Sequence, residues 1–312
     1  WVFLDLSAYK GKRLTIIFDN KKTKYLLSEI YQSDKISYFD DLYKEKHRPQ
    51  LHFSSKRGWL NDPNGLVYHE GEYHLFYQHN PYGWEWGNMH WGHAVSKDLI
   101  HLVKSPIALY SDENGVCFCG GILIDKNYSS DFGKNAMIVL YMFVAKKQTQ
   151  SLTYSSDNGP SSSRYNENPV IPSRGEQAGS PEVRDSNVFW HKPAGEWMMI
   201  LFEDMGHSIF TSKNLVNWKF DIDFETFHEF HELFKLPIDG DINNTKWATY
   251  GAAGFYTTGS FDGKIFTPEY SQFTYVDGEF YAAQTFEDMI SEDGKLIQID
   301  WRPLKFQTCF SI

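Results

Sequence analysis

The stretch GLVYHEGEYHLFYQ, residues 65–78, decides the fold class. Apolar and polar side chains alternate on both sides of Glu70-Gly71, and alternation interrupted by a glycine-containing turn predicts a β-hairpin. Four further hairpins are predicted over residues 120–144, 186–203, 232–254 and 272–288, the last with its turn at Asp277-Gly278. Because no amphipathic helical stretch competes with these units, the sequence predicts an all-β protein.

A second repeated signal is an alternating stretch that ends in serine and continues into a polar turn. Ser96, Ser155, Ser212 and Ser260 occupy this position and lie 59, 57 and 48 residues apart. Self-similarity at roughly 40–60 residues, with four strands in each period, is typical of a β-propeller. We therefore expect a five-bladed β-propeller over residues 47–312. A two-sheet sandwich is the rival arrangement, but it does not predict the repeated hairpin and turn.

Residues 1–46 are expected to form a short N-terminal β extension and linker. Alternation over residues 13–18 precedes a turn at Asp19-Asn20, and a polar segment rich in Tyr and Asp follows over residues 37–47. No run of about 18 apolar residues occurs, so no membrane-spanning segment is predicted. The chain begins at Trp1 without a signal peptide, and we expect the gene product to start earlier.

Composition excludes some functions. The net charge of −10 argues against nucleic-acid binding, which needs a basic surface. Three cysteines, Cys117, Cys119 and Cys309, form no disulfide framework or regular metal motif. Cys117 and Cys119 are expected to be buried thiols on the same face of one strand. No metal or cofactor is predicted.

Acidic residues precede three of the predicted hairpins. In a propeller the innermost strands all start at one end of the central funnel, so Asp62, Asp185 with Arg184, and Glu229 should converge there. Three acids in this place have three possible roles. They can catalyse glycoside hydrolysis as a carboxylate pair, or they can bind a hard cation. They can also cap the starts of strands, in which case DPNG is an ordinary turn. Their convergence within a chain that is 17% aromatic favours the first.

Residues 76–94 add side chains that suit a sugar. Apolar ring faces and amide groups complement the faces and hydroxyls of a carbohydrate. We expect Trp91 in the core, and Trp86 and Gln78 in contact with the ligand. The stretch contains Trp84, Trp86, Trp91, Gln78, Asn80 and Asn88.

The motif WLNDPNG, residues 59–65, together with FYQHNP, VRDSNVFWH and FYAAQTF, resembles glycoside hydrolase family thirty-two, the invertases, inulinases and levanases. The resemblance runs from about residue 48 to about residue 298. It implies a five-bladed propeller, a fructan or sucrose substrate, no cofactor, and a secreted, periplasmic or cell-surface location. The C-terminal β-sandwich of the family is expected to be absent from this chain. No feature indicates an oligomeric state.

The resemblance also implies residue roles. Asp62 corresponds to the nucleophile, Asp185 to the transition-state stabiliser and Glu229 to the acid/base of a retaining hydrolase that releases terminal fructose through a covalent fructosyl-enzyme. Linkage preference and transfructosylation depend on features outside these motifs. A related enzyme acting on arabinan is a further alternative, against which WLNDPNG and FYQHNP speak. Substrate contacts are implied for Asn61, Gln78, Trp86, Phe118, Cys119 and Arg184.

The chain departs from the family pattern at three places. Ser186 replaces the proline of Arg-Asp-Pro, and Cys119 replaces a serine in Phe-Ser-Gly. The acid/base motif Glu-Cys-Pro-Asp reads Glu229-Phe230-His231-Glu232, which makes Glu232 a weaker alternative acid. A catalytically impaired fructan-binding propeller is therefore the alternative function.

Overall fold

The computed structural model describes residues 6–15, 30–35, 37–156, 162–173, 183–203, 206–224, 232–275, 281–286, 295–303 and 308–311. The chain divides into two compact units, Trp1–Arg48 and Pro49–Ile312. The described part of the first unit contains two 3-10 helices, Ser7–Tyr9 and Phe39–Asp41, and no strand. Of the strand predicted over residues 13–18, residues 13–15 are described and form no strand, and residues 16–18 lie outside the described residues. Across the described ranges, no helix has the length and apolar character needed to cross a membrane.

The second unit is built from β-strands, in agreement with the all-β prediction. Their bounds are β1 Trp59–His69, β2 Glu72–Asn80, β3 His90–Ser96, β4 Val103–Lys104, β5 Val116–Ile124, β6 Met137–Val144, β7 Gln148–Ser155, β8 Ser163–Arg164, β9 Val183–His191, β10 Glu196–Glu203, β11 Gly206–Ser212, β12 Lys219–Phe224, β13 Glu232–Ile238, β14 Asp241–Tyr250, β15 Phe255–Phe261, β16 Phe266–Pro268, β17 Phe273–Thr274, β18 Tyr281–Thr285, β19 Gln298–Pro303 and β20 Thr308–Ser311.

The strands form five antiparallel sheets in chain order. The first three sheets contain β1–β4, β5–β8 and β9–β12, the fourth contains β13–β16 with β17 beside β15, and the fifth contains β18–β20. Residues from the first strand of every sheet line one small cavity. The sheets are thus arranged in a propeller-like manner around a common axis, which is defined by β1, β5, β9, β13 and β18.

Four of the five predicted hairpins are confirmed, and the fifth is wrong. The pairs β1–β2, β5–β6, β9–β10 and β13–β14 are antiparallel neighbours. In the fifth stretch, however, β17 pairs with β15 of the fourth sheet, whereas β18 pairs with β19. The ring of Phe273 lies 5.6 Å from that of Tyr256 on β15. β17 thus pairs with the edge of β15 rather than with β18, although the sequence predicted a turn between β17 and β18 at Asp277-Gly278. These two turn residues lie outside the described residues.

The repeated serines mark the ends of third strands, as predicted. Ser96, Ser155 and Ser212 are the last residues of β3, β7 and β11, and Ser260 is the penultimate residue of β15. The Ser96 hydroxyl accepts the backbone N–H of Asp98 at 3.2 Å, and Ser212 accepts that of Asn214 at the same distance. The serine therefore closes the turn to the outer strand.

The core lies between neighbouring sheets. Val67 and Phe76 pack against Ile122 and Tyr141 between the first and second sheets. Similar clusters join the second and third sheets, the third and fourth, and the fifth and first. They include Leu140 with Met199, Phe189 with Leu233, and Leu60 and Leu66 with Phe286 and Ile299.

Two glycines allow the axial strands to approach closely. A Cβ at Gly65 on β1 would lie 2.7 Å from Ile122 Cγ2, and one at Gly121 on β5 would lie 3.1 Å from the Ser186 carbonyl oxygen on β9. Side chains cannot occupy this space without displacing a neighbouring strand. The axial strands β1, β5 and β9 therefore approach one another closely at these two glycines.

Candidate functional site

Asp62 lies within the first axial strand rather than before it. The pairing of β1 with β2 shifts between Leu60 and Pro63 and again between Pro63 and Gly65. A bulge of this kind redirects side chains, and bulges are common beside active sites. Asp62 is half-buried, and its Oδ2 accepts a hydrogen bond from the Cys119 thiol of β5 at 3.5 Å. The carboxylate is therefore held between the first and second sheets.

Asp185 occupies a strained position near the start of β9. Its φ of 56° is in the left-handed region, which non-glycine residues seldom adopt and which recurs at functional sites. The pairing of β10 with β9 is irregular between Ile200 and Phe202, next to this residue. The Asp185 side chain is 2% exposed, and its Oδ2 lies 3.6 Å from Arg184 Nε. The Arg184 guanidinium lies over the Phe202 ring at 4.8 Å.

The serine that replaces the family's proline has a local partner. Ser186 is buried and its hydroxyl donates to the Leu140 carbonyl at 3.5 Å. Serine at this position does not fix the backbone angle φ as proline would, but its hydroxyl forms a hydrogen bond between the second and third sheets. A proline at this position has no side-chain donor for that bond.

Glu229 lies outside the described residues, so its role remains a prediction. The described chain resumes at Glu232, the first residue of β13. Glu232 Oε2 accepts hydrogen bonds from the hydroxyls of Tyr250 and Thr285 and from the Thr285 backbone N–H, the last at 2.9 Å. Burial raises the pKa of Glu232 to about 7, although hydrogen bonds from Thr285 and Tyr250 act in the opposite direction. Glu232 is therefore a buried acid that exchanges its proton near neutral pH.

Two predicted sugar contacts are buried supports of the strands around Asp62. Asn61 is 3% exposed, and its Oδ1 accepts the Trp59 indole N–H at 2.7 Å. With its amide oriented to pair donors with acceptors, Gln78 accepts the Cys119 backbone N–H at 3.0 Å and donates to the Cys117 carbonyl at 3.3 Å. Gln78 thereby links β2 to β5. Direct contact of either residue with fructose stays a prediction.

Phe118, which directly precedes Cys119 in the chain, forms an aromatic pair with Trp86. Trp86 is 60% exposed, and its ring meets that of Phe118 edge to face, with centroids 5.6 Å apart. Trp91 is fully buried and donates its indole N–H to the Phe118 carbonyl at 2.9 Å, which confirms its predicted place in the core. The pair therefore combines an exposed ring with a firmly anchored one.

The two cysteines of β5 do not share a face. Both are buried and neither forms a disulfide, as predicted. Because strand pairing shifts between Cys117 and Gly120, Cys117 packs in the cluster around Trp91, whereas Cys119 packs with Ala282 and reaches Asp62. Burial raises the pKa of Cys117 to about 11, so it is an inert core thiol.

Four further polar residues around the axis did not emerge as site residues from the sequence. The Asn64 amide donates to the Gln78 side-chain oxygen at 2.8 Å, and Gln284 Nε2 donates to the Gly120 carbonyl at 3.1 Å. Tyr250 and Thr285 bind Glu232. Asn64 lies in the quoted motif WLNDPNG, and Gln284 and Thr285 lie in FYAAQTF, whereas Tyr250 lies in none of the motifs quoted above. Among the side chains that the structure describes, no group of three His, Cys, Asp or Glu is placed to hold a metal ion.

Known proteins provide an independent comparison. The levanase of Bacillus subtilis (strain 168) is 40% identical over 303 residues, which cover 88% of this chain and 44% of the levanase. The extracellular exo-inulinase of Aspergillus niger is 37% identical over 313 residues, covering 83% of this chain and 58% of the enzyme. The chain thus spans about half the length of these curated relatives.

Solved structures of an exo-inulinase and a β-fructofuranosidase are similar to this chain as well. The exo-inulinase of Aspergillus awamori superposes with a TM-score of 0.75 and 33% identity, covering 86% of this chain and 64% of that one. The β-fructofuranosidase of Schwanniomyces occidentalis gives a TM-score of 0.76 and 30% identity, covering 85% of this chain and 58% of that one. Residues 52–306 match the family described as the glycosyl hydrolases family 32 N-terminal domain. This match extends over most of the sequence and confirms the resemblance, so the chain belongs to glycoside hydrolase family 32.

Proposed function

We propose that the protein is a retaining glycoside hydrolase that releases terminal fructose from fructans or sucrose. Asp62 acts as the nucleophile, Asp185 stabilises the transition state and Glu229 is the acid/base. The observation that carries the proposal is the position of Asp62, whose half-buried carboxylate accepts a hydrogen bond from Cys119; the residue before Cys119, Phe118, contacts the exposed Trp86 ring. The levanase, exo-inulinase and invertase among the relatives support the choice of a fructoside.

The chemistry proceeds through a double displacement. An Asp62 oxygen attacks C2 of the fructosyl unit, the bond from C2 to the leaving oxygen breaks, and Glu229 gives its proton to that oxygen. Water then attacks C2 while Glu229 takes its proton, and the ester bond to Asp62 breaks. Retention requires the two carboxyl groups to lie about 5–5.5 Å apart.

Asp185 and Arg184 supply charge beside the reacting ring. The buried Asp185 carboxylate binds sugar hydroxyls more strongly as positive charge develops at C2, and the partly exposed Arg184 holds Asp185 through their 3.6 Å contact. Asn61, Gln78, Trp86, Phe118 and Cys119 complete the fructose site. In this proposal no metal or cofactor takes part.

The same proposal extends to architecture and location. The three-stranded sheet β18–β20 serves as the fifth blade of a five-bladed propeller, since its first strand joins the other four around the axial cavity. Secretion of this protein is supported by the extracellular exo-inulinases among its relatives. Residues 1–46 act as an N-terminal extension to the propeller.

The decisive experiment is to measure fructose release from levan, inulin and sucrose. We expect the wild-type chain to release fructose and Asp62→Asn to be at least about 10³-fold slower, because the nucleophilic oxygen loses its charge. Retention is checked by following the anomeric configuration of the first product by NMR.

The alternative of a binding protein is tested in the same samples. If the wild-type chain binds fructan by calorimetry but releases no fructose, the hydrolase proposal is wrong and the impaired fructan-binding propeller replaces it. Release that is unchanged in Asp62→Asn would instead remove the assigned nucleophile.

A further inference from the structure

The backbone of β5 around Cys119 is held by side chains from three other strands. The pairing of β5 with β6 shifts between Cys117 and Gly120, and each of three consecutive residues in this region binds a buried side chain. The hydrogen bonds join the Phe118 carbonyl to the Trp91 indole N–H at 2.9 Å, the Cys119 N–H to the Gln78 side-chain oxygen at 3.0 Å, and the Gly120 carbonyl to Gln284 Nε2 at 3.1 Å. Because these side chains come from β2, β3 and β18, two different sheets fix the direction in which the Cys119 side chain leaves β5.

The Cys119 side chain also packs against two small residues of the later sheets. Cys119 is 7% exposed and lies in a cluster with Ala252 and Ala282, which are joined by a backbone hydrogen bond of 3.1 Å. Ala282 is fully buried, and its φ of 53° is in the left-handed region. A non-glycine residue keeps this conformation only where its surroundings impose it, and such residues cluster at ligand sites and active sites. The buried sulfur is therefore confined by its neighbours.

Asp62 reaches this confined thiol from an irregular part of β1. The pairing of β1 with β2 shifts on both sides of Pro63, so regular strand pairing does not fix the Asp62 side chain. Its Oδ2 lies 3.5 Å from Cys119 Sγ, within range of a hydrogen bond from a thiol. Since Cys119 is the better-fixed partner in this contact, the thiol determines where the half-buried carboxylate lies.

We propose that Cys119 is a positioning residue for Asp62: its confined thiol donates to Oδ2 and holds the carboxylate in the orientation for attack on C2 of the fructosyl unit. This inference rests on the proposed function. It adds to the sugar contact that the family resemblance implies for Cys119, because the thiol hydrogen is directed at the protein's own carboxylate. Orientation of a nucleophile lowers the barrier to reaction, and a hydrogen bond to the charged form of a carboxylate favours that form. Loss of the thiol should therefore change both the rate and its dependence on pH.

The test measures sucrose hydrolysis against pH in two variants. Cys119→Ala removes the donor, so kcat should fall about 3- to 10-fold while KM changes less than about twofold. The acid limb of the kcat/KM profile, which reports the free enzyme, should move to higher pH by about 0.5–1 unit. Cys119→Ser keeps a donor, so its acid limb should remain within about 0.3 pH unit of wild type.

Other charged groups near the axis are unchanged in both variants. Among the described residues, those at the starts of the neighbouring axial strands are Arg184 and Asp185 of β9 and Glu232 of β13. Because neither substitution at residue 119 alters the number or sign of these charges, a shift that appears in Cys119→Ala and is absent from Cys119→Ser reports the hydrogen bond of the thiol.

The other thiol of β5 provides a matched control. Cys117 is fully buried, and its Sγ lies 3.7 Å from the Tyr110 carbonyl oxygen rather than from a carboxylate. Cys117→Ala should lower the unfolding midpoint, because it removes a buried side-chain atom from the core. It should leave the pH profile of kcat/KM unchanged, which separates the role of Cys119 from a general loss of stability.

An infrared measurement tests the hydrogen bond without reference to activity. The S–H stretching band of Cys119 is the one lost in Cys119→Ser, and that of Cys117 is the one lost in Cys117→Ala. A hydrogen bond lowers the S–H stretching frequency, and a charged acceptor forms a stronger bond than a neutral one. The Cys119 band should therefore lie at lower frequency than the Cys117 band and should rise in Asp62→Asn. If Cys119→Ala fails to fold, this comparison decides the question.

The outcomes separate this inference from the proposed function. A pH profile that is the same in wild type, Cys119→Ala and Cys119→Ser would overturn the positioning role while leaving the hydrolase intact, and so would a Cys119 band that Asp62→Asn does not move. A higher KM in Cys119→Ala without loss of kcat would make Cys119 a sugar contact only. A wild-type chain that releases no fructose would overturn the proposed function, and the nucleophilic role of Asp62 with it.

Discussion

Stability at mildly acidic pH should depend on a histidine buried in the first sheet. His93 is 5% exposed, its ring stacks on Phe76 at 4.2 Å, and its Nε2 lies 3.1 Å from His74 Nδ1. Burial, reinforced by His74, lowers the pKa of His93 to about 3. The folded protein therefore holds this ring neutral where an unfolded chain would bind a proton.

The sign and size of the effect follow from this difference. An exposed histidine titrates near pH 6.5, so between about pH 6.5 and pH 3 the unfolded state binds more protons at His93 than the folded state does. The stabilisation is complete above pH 6.5 and is lost as pH falls. At pH 4.5 the loss amounts to about 3 kcal/mol, since each pH unit contributes about 1.4 kcal/mol.

The change in the free energy of unfolding with pH, measured on the wild-type protein alone, does not isolate the contribution of His93. Burial lowers the pKa of His79 to about 3 as well, which adds a loss of the same sign. Burial raises the pKa of Glu232 instead, so the folded state takes up a proton there first and gains stability as pH falls from about 7. A comparison of variants isolates His93 from both.

The assay is urea unfolding of wild type and His93→Gln at pH 7.5 and pH 4.5. The variant keeps a polar partner for His74 and removes the titration, so it should lose about 3 kcal/mol less than wild type between these pH values. His52→Gln, at an exposed position, should behave as wild type. Equal losses in wild type and His93→Gln would refute the reasoning, as would a His93 ring that titrates near pH 6.5 by NMR.

Three other substitutions test packing and the sugar site. Gly65→Ala should reduce the free energy of unfolding by about 1–3 kcal/mol in urea titrations, because its Cβ would lie 2.7 Å from a neighbouring side chain; an unchanged midpoint would contradict the close approach. The Met199 side chain is fully buried, so Met199→Ala should lower the free energy of unfolding by about 2–5 kcal/mol in the same assay. The Ile242 side chain is 62% exposed, so Ile242→Ala should change this free energy by no more than about 0.5 kcal/mol. Trp86→Ala should raise KM for sucrose about tenfold in initial-rate measurements, whereas Trp84→Ala should not; equal effects would remove Trp86 from the site.

Local sequence signals predicted the repeating part of the fold well. Alternation and turn residues lie within a few positions of each other, so four hairpins and the serine-closed turns could be recognised without knowing the tertiary structure. The fifth hairpin failed because its two strands, β17 and β18, are short and find partners in different sheets. Pairing of such strands depends on which sheet edges are available, and a turn signal carries no such information.

The roles of the three acids in the candidate site stay predictions, and part of the geometry around them could not be read from the sequence. The repeat singled out Asp62, Asp185 and Glu229; the structure places Asp62 within β1 and Asp185 near the start of β9, and Glu229 lies outside the described residues. The bulge that turns Cys119 away from Cys117, and the left-handed backbone at Asp185, arise from contacts between sheets that alternation does not encode. The burial of Glu232 likewise depends on Tyr250 and Thr285, which are 18 and 53 residues away in sequence.

The way in which the last sheet meets the first has a consequence for biogenesis. Phe286 and Ile299 complete the cluster that covers Leu60 and Leu66, and within the described strands no strand is shared between the two sheets. During synthesis the apolar surface of the first sheet around Leu60 and Leu66 therefore stays exposed to solvent until residue 299 has been made. Chaperone binding or aggregation on the ribosome should concentrate at this apolar surface, and chains halted before residue 281 should be the most susceptible to both.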